Sequence, residues 1–463
     1  MRFTKLNHKT NKYCILQDKK ISDLYKLYEN NGFNLSIVVD KKNKFIGLVT
    51  QSDIRRGYIR GLNQNAKIKD IVNKNPLIIR GKINENSLSD LISQKRFTEV
   101  EPAYFPQIDK NNIPINLINK DKILSLTNSK GKITKKHKKV LLLGGAGYIG
   151  SNLALKLLKL KYQVIVFDRF IYQNKNDFEK KINNKNLSCV KGDSKDLDKI
   201  FYLINNSEAV VHLAEMVGDP LCEKRPERTF LTNYLASISI SSICKNLGIS
   251  KFIYISSCSV YGSNKDEKLL DENSKINPLS IYAKLKTLCE KTLITNMGEY
   301  YKPCILRLGT VFGKSLRPRY DLVVNLFAGL VANNKEIKIE GGEQWRPFIH
   351  VDDVCDGIIK VLKSPQKKTN GQIFNLVGEN IQIKALKKII IKKFPKAKIS
   401  IVKQLKDFRD YKVSAQKAKK VLGFKPKISI EQGLYDLVNF TKKNKIKNLN
   451  NKKFINILNS DKF

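Results

Sequence analysis

Tyr282 and Lys286 stand four residues apart in Tyr282-Ala283-Lys284-Leu285-Lys286. On a helix that spacing puts both side chains on one face. A cation beside a phenol favours the phenolate and lowers its pKa, so such a tyrosine can take or give a proton near neutrality. Upstream, Ser256-Ser257-Cys258-Ser259 closes an apolar run that begins at Ile253. From there the Ser257 hydroxyl could hold a substrate oxygen against the phenol. Further upstream, Val140-Leu141-Leu142-Leu143 runs straight into Gly144-Gly145-Ala146-Gly147-Tyr148-Ile149-Gly150. That turn needs backbone freedom and a close approach to a pyrophosphate, and the helix behind it offers N–H donors. A Tyr-x-x-x-Lys pair alone is more often a surface feature. In this order the three signals point to hydride chemistry: the phenolate takes a hydroxyl proton while hydride leaves the same carbon for a nicotinamide.

The surrounding elements fit that use. An apolar strand precedes the glycines and an amphipathic helix, Ser151 to Leu160, follows them. A second strand, Tyr162 to Phe167, ends in Asp168, where the adenosine ribose hydroxyls would lie. A carboxylate there favours NAD and repels the 2′-phosphate of NADP; Arg169, next door, pulls the other way. Gly192-Asp193-Ser194 ends a strand over Leu187 to Val190, where Asp193 can meet adenine. Val210-Val211-His212-Leu213-Ala214 reads as a strand whose end runs along the cofactor. Strands and helices alternate from Val140 to about Asn439, which predicts an α/β Rossmann fold with a doubly wound parallel sheet.

Composition sets bounds. The chain has 463 residues, long enough for two or three domains, and 41% are hydrophobic. No apolar run is long enough to span a bilayer, so membrane insertion is not expected. The eight cysteines are scattered without a Cys-x-x-Cys pair and read as reduced thiols in a cytoplasm, with no metal site. The net charge of +44 is mostly lysine spread along the chain amid many asparagines and isoleucines. It is read as compositional bias rather than a nucleic-acid surface, though it would attract anionic substrates. The dense clusters, Lys130 to Lys139 and Lys442 to Lys453, read as a basic linker (126–139) and a loose Lys/Asn-rich tail (441–463). Phe454-Ile455-Asn456-Ile457-Leu458 is the part of that tail that could dock.

Residues 1–125 form a separate α+β module. Ile21 to Asn31 reads as a helix, Leu35 to Asp40 and Phe45 to Thr50 as paired strands, and Asp53 opens a second helix. Gly47, Thr50, Asp53 and Ile54 resemble the Gly-x-x-Thr-x-x-Asp-Ile end of a cystathionine-β-synthase (CBS) motif. A second copy looks degraded: Asp121 could match Asp53, but Ile115 and Ile118 stand where Gly and Thr would be. The resemblance implies a CBS pair that takes an adenine nucleotide through Thr50 and Asp53. The plainer reading is a strand-end Thr and a helix-capping Asp in a module that serves dimerisation.

Residues 140–440 resemble the extended short-chain dehydrogenase/reductases, in their NAD-dependent sugar-nucleotide epimerase/dehydratase branch. The resemblance implies NAD as cofactor, a nucleotide-diphosphate sugar as substrate and a homodimer. It places Gly144, Gly147, Gly150, Tyr148 and Ile149 at the pyrophosphate, Asp168 at the ribose, and Asp193 and Ser194 at adenine. Leu213 and Ala214 line the cofactor, and Asn233 buttresses the site. Ser257, Tyr282 and Lys286 match the catalytic trio. Thr310 opens the substrate region, while Arg346, in Trp345-Arg346-Pro347-Phe348, and more weakly Arg409 match the substrate-diphosphate clamp. Dehydratases and decarboxylases of the branch usually carry a Glu two residues after the catalytic Ser/Thr. Ser259 stands there, which disfavours elimination. Thr310, Val217 and Leu285 also depart from frequent residues. The expectation is a nucleotide-sugar epimerase, acting at C4 through a transient ketose in glycan precursor synthesis. A 4-ketoreductase remains open, as does a nucleotide-sensing protein with a vestigial site.

Overall fold

The computed structural model describes residues 13–31, 35–81, 104–119, 138–249, 251–263, 269–298, 301–402 and 409–457. They belong to two compact units, Met1–Thr134 and Lys135–Phe463.

In the first unit a short strand, Cys14–Leu16, runs parallel to Leu35–Val39, which pairs antiparallel with Phe45–Thr50. The same order recurs. Ile79–Arg80 is parallel to Tyr104–Ile108, which is antiparallel to Pro114–Asn119. Asp121 lies outside the described residues. The helix Ile21–Asn31 and the helix Gln51–Ile59 flank the first sheet, and Ile21, Leu24, Val38, Val49 and Ile54 are buried between them.

The second unit is built on seven parallel strands: β1 (Lys139–Leu143), β2 (Gln163–Asp168), β3 (Leu187–Lys191), β4 (Ala209–His212), β5 (Lys251–Ser257), β6 (Cys304–Leu308) and β7 (Ile373–Leu376). Their order is β7-β6-β5-β4-β1-β2-β3. Alternate residues of β1 serve opposite cores. Val140 and Leu142 pack into one hydrophobic cluster, Leu141 and Leu143 into the other. A strand buried on both faces needs an unbroken apolar run, and this explains Val140 to Leu143. The strand order reverses between β1 and β4, so a crevice opens at their carboxyl ends, as expected for a ligand site in such a sheet. Helix α1 (Tyr148–Lys159) follows the glycine turn and helix α2 (Ile281–Thr295) follows β5. Ser280 caps α2, accepting a hydrogen bond from Ala283 N at 3.2 Å.

A smaller sheet, Thr310–Phe312 beside Trp345–His350 beside Glu379–Gln382, packs with the helices Val323–Ala332 and Ile430–Lys443 into a third core. The expected loose tail is different in the structure. The last helix runs to Lys443, and the chain beyond it is laid onto this unit: Leu449 and Asn456 are buried. Tyr320 N donates to Phe454 O at 3.2 Å, and the two rings meet edge to face at 5.5 Å. Leu458 lies outside the described residues. Among the described residues no helix is long and apolar enough to cross a membrane, and no cluster of metal-ligating side chains occurs.

Candidate active site

The glycine turn ends where close packing demands it. Gly144 has φ +78°, and a Cβ there would come within 2.7 Å of Ala214 N on the neighbouring strand end. A Cβ on Gly150 would meet Gly144 O at 2.5 Å. The first amides of α1 therefore face a crevice bordered by Leu213 and Ala214, a cradle that suits a pyrophosphate. The Tyr148 side chain turns away from it. Its hydroxyl donates to Gly313 O at 2.7 Å, so this residue contributes a backbone amide and ties α1 to the 313–317 segment. Ile149 is half-buried against the sheet core. Asp168 ends β2 with Oδ2 accepting from Ala146 N at 3.0 Å and Oδ1 from Phe170 N at 2.7 Å. Burial raises its pKa and these amides oppose the rise. Arg169 is turned to Asp193, Nε to Oδ2 at 3.3 Å, and Ser194 beside it is buried.

Asn233, the expected buttress of the site, is buried with its amide fully engaged by the protein. It sits in a π-helical turn, Phe230–Leu235, and both ends of its amide are taken by Met216: Met216 N donates to Oδ1 and Nδ2 donates to Met216 O, each at 2.8 Å. It holds the Met216–Asp219 loop in place. Such turns are frequent at functional sites; here Asn233 O accepts from Ser237 Oγ at 2.7 Å.

The end of β5 is braced from behind. Ser256 Oγ donates to Glu290 Oε1 at 2.5 Å, and Glu290 forms a buried ion pair with Arg307 at 2.6 Å. Ser257 then points its hydroxyl out of the sheet. Its Oγ accepts from Ser259 N at 3.1 Å and from Ser259 Oγ at 2.9 Å. With both acceptor positions used, the Ser257 proton is left to be given outward. Ser259, in the place of a dehydratase acid, is thus spent on polarising Ser257.

On α2, Lys286 is buried and donates to Ile255 O; its Nζ lies 5.6 Å from the centre of the Tyr282 ring and 4.6 Å from that of Tyr254. Lys286 and Tyr282 are brought together beside the end of β5, but their electrostatics differ from the sequence expectation. Lys286 pairs with Glu215, a residue that sequence reasoning passed over. Glu215 Oε1 also accepts from Tyr254 OH at 2.8 Å. The Tyr282 phenol is held well above its ordinary pKa, first by burial, then by the charges of Glu215, Cys222 and Asp219, with Arg319 opposing. This is the opposite direction from the depression expected of a neighbouring lysine, and Lys286 itself pairs with Glu215. Glu215 follows Ala214 directly, and a lone carboxylate after an apolar strand was the available signal.

Arg346 is buried on the smaller sheet. Its Nη1 donates to Trp345 O at 2.8 Å and to Arg409 O, and its guanidinium lies 5.9 Å from the Tyr411 ring centre. Arg409 Nη1 meets Asp219 Oδ2 at 3.2 Å, so Arg409 borders the Met216–Asp219 loop and Arg346 lies behind its backbone. Thr310 opens the strand paired with Phe348, two residues from Arg346. Thr50 and Asp53 form a helix capping box: Thr50 N donates to Asp53 Oδ2 at 2.8 Å, and Arg56 Nη2 meets Oδ1 at 2.5 Å. A cleft of about 410 Å³ lined by Asp53, Arg56, Arg60, Asp70 and Asn73 lies beside them.

The sequence matches the NAD dependent epimerase/dehydratase family over residues 140–377, more than half of the chain. The chain belongs to that family. Among solved structures it is similar to the UDP-glucose 4-epimerase of Thermotoga maritima with UDP-glucose, at 27% identity and a TM-score of 0.60 over 66% of this chain and 99% of that one. It is also similar to the UDP-glucuronic acid 4-epimerase of Bacillus cereus in complex with UDP-glucuronic acid and NAD, at 26% identity and a TM-score of 0.60, with the same shares covered. A dTDP-D-glucose 4,6-dehydratase of Dictyostelium discoideum is 30% identical over 54% of this chain and 61% of that protein. As in the rest of the family, NAD is the cofactor, and the glycine turn, the α1 amides and Asp168 fit it.

Proposed function

We propose that this protein is a nucleotide-sugar 4-epimerase working through a transient 4-keto sugar. The observation that carries the reading is the doubly accepting Ser257 at the end of β5, the strand to which Lys286 is bonded beneath the Tyr282 ring, with a serine where elimination needs an acid. Tyr282 must first ionise, against the burial that raises its pKa; as the phenolate it takes the proton of the sugar hydroxyl, and Ser257 donates to the same oxygen and keeps it aimed at Tyr282. Arg346 and Arg409 grip the diphosphate, about which the ketose turns before Tyr282 returns the proton. NAD, when bound, supplies the acceptor and later the donor of the hydride. The α1 amides and Asp168 would hold its pyrophosphate and ribose, and Lys286 the nicotinamide ribose. The resemblance to two 4-epimerases over nearly their whole length supports this assignment.

The test is incubation with UDP-, GDP-, dTDP- and CMP-sugars without added cofactor, followed by NMR. Interconversion of C4 epimers is the expected result. Turnover only with added NAD(P)H would make the protein a ketoreductase, and a 4-keto-6-deoxy product would make it a dehydratase.

The first unit is proposed to be a CBS-type pair that senses an adenine nucleotide. The repeated order of parallel and antiparallel strands supports this, as does the cleft beside Asp53, where Arg56 and Arg60 could meet phosphate. Titration with AMP and ATP tests it, with Asp53→Ala expected to abolish the binding. A homodimer is proposed on family grounds; Leu231, Leu235 and Leu288, exposed on neighbouring helices, are the apolar surface available for it. Light scattering decides the point.

A further inference from the structure

Arg317 presents an electrostatic problem that the described residues do not solve. It is 3% exposed, and its Nε has no hydrogen-bond partner. No carboxylate pairs with it among the described residues. Its guanidinium lies 3.7 Å from the centre of the Tyr172 ring, and Nη2 donates to Asn456 Oδ1 at 2.6 Å. The nearby Asp321 is consumed by Arg319, with Nε to Oδ1 at 2.9 Å and Nη2 to Oδ2 at 3.0 Å. Asp168 is engaged by the amides of Ala146 and Phe170. Burial, reinforced by the charge of Arg319, brings the Arg317 pKa down to about 10. A buried cation is ordinarily paired, because desolvation is otherwise uncompensated.

The position of Arg317 says what would pair with it. Ser315 Oγ donates to Tyr148 O at 2.8 Å and lies 2.9 Å from Ser151 Oγ, while Arg317 N donates back to Ser315 Oγ at 3.2 Å. The 313–317 segment is therefore strapped to the first turns of α1, and its arginine comes off at the positive end of that helix. Tyr172 lies on the loop that leaves Asp168. On the far side Asn456 donates Nδ2 to Val217 O at 2.8 Å and N to Asp321 Oδ2 at 3.1 Å. Ile457 packs against the buried cluster of Met216, Leu221 and Cys222, as Tyr282 does. The C-terminal segment thus braces the guanidinium from the side of the catalytic loop.

We propose that Arg317, braced by Asn456, is the counter-ion for a bound diphosphate. Two diphosphates visit this crevice on the function proposed above, that of NAD and that of the nucleotide sugar, and the chemistry recognised is the same. Binding to the full-length protein, freed of nucleotide, is measured calorimetrically with ADP-ribose, UDP, adenosine and uridine. Arg317→Gln is expected to weaken ADP-ribose or UDP tenfold or more and to leave the phosphate-free nucleosides unchanged. Loss for ADP-ribose assigns the residue to the cofactor, and loss for UDP assigns it to the substrate. Asn456→Asp sets a carboxylate against the guanidinium and should weaken the same ligand while keeping the arginine, so the test survives if Arg317→Gln does not fold. Unchanged affinity for both diphosphates, or an equal loss for the nucleosides, would overturn the proposal. Wild-type protein that binds neither ADP-ribose nor UDP would instead sink the functional reading on which it rests.

Discussion

Glu215→Gln separates this active site from a simple Ser/Tyr/Lys arrangement. In the wild type the Glu215 charge raises the Tyr282 pKa and neutralises Lys286. The amide removes a negative charge that raises the phenol's pKa; for a unit charge at a separation of roughly 6 to 8 Å, Coulomb's law gives about 2 to 3 kcal/mol at an effective dielectric of about 20. That corresponds to roughly 1.5 to 2 pH units in the phenol's ionisation. The released Lys286 charge acts in the same direction. The acid limb of kcat should therefore move to lower pH by at least about one unit. The variant should also be less stable by about 3 to 5 kcal/mol, since it leaves a buried ammonium without its partner. The assay is the pH dependence of epimerisation in wild type and variant, with thermal unfolding recorded alongside. A folded Glu215→Gln enzyme with an unmoved acid limb would refute the coupling between Glu215 and Tyr282, whatever became of the rate.

Tyr282→Phe should abolish turnover while NAD remains bound, measured by NMR assay and by nucleotide released on denaturation; retained activity contradicts the proposed proton transfer. Gly144→Ala should lose NAD binding measured by calorimetry, because the new Cβ meets Ala214 and sits at positive φ. His212 is neutral in the fold, its pKa lowered from 6.5 to about 3 by burial and by Lys286. The unfolded chain binds its proton first, so this group costs about 1.4 kcal/mol per pH unit as pH falls from 6.5 toward 3. His212→Asn should flatten that part of the stability profile in denaturant titrations, and an unchanged slope would remove His212 as its source.

The legible part of the site was the part written locally. The glycine turn, Asp168, and the Tyr282–Lys286 spacing each depend on one strand end or one helix face, so neighbouring residues announce them. Ser257 was legible for the same reason, although what Ser259 does to it was not, because a hydroxyl's partner depends on rotamer rather than order. Glu215 was hidden by distance: its meaning comes from Lys286 on another helix and Tyr254 on another strand. The role of Asn233 was half visible, since the motif marks a buttress but not that Met216 takes the whole amide. The lysines and asparagines beyond 441 read as a loose tail in which only Phe454 to Leu458 could dock; a few apolar and amide side chains, Leu449, Phe454 and Asn456, seat the described part up to Ile457. In the first unit, the strand signals of Leu35 to Thr50 were clear because both are short apolar runs split by a polar turn.

The seating of Phe454 to Ile457 also bears on how the protein is made. The chain leaves the ribosome amino end first and tends to fold unit by unit in that order. Every strand of the central sheet emerges before Asn456 does. The brace that Asn456 places on Arg317 and Val217 is therefore added only after the whole sheet is available to fold. A nascent chain could assemble its sheet and still lack that brace, so sheet formation and completion of the crevice wall are separate events in time.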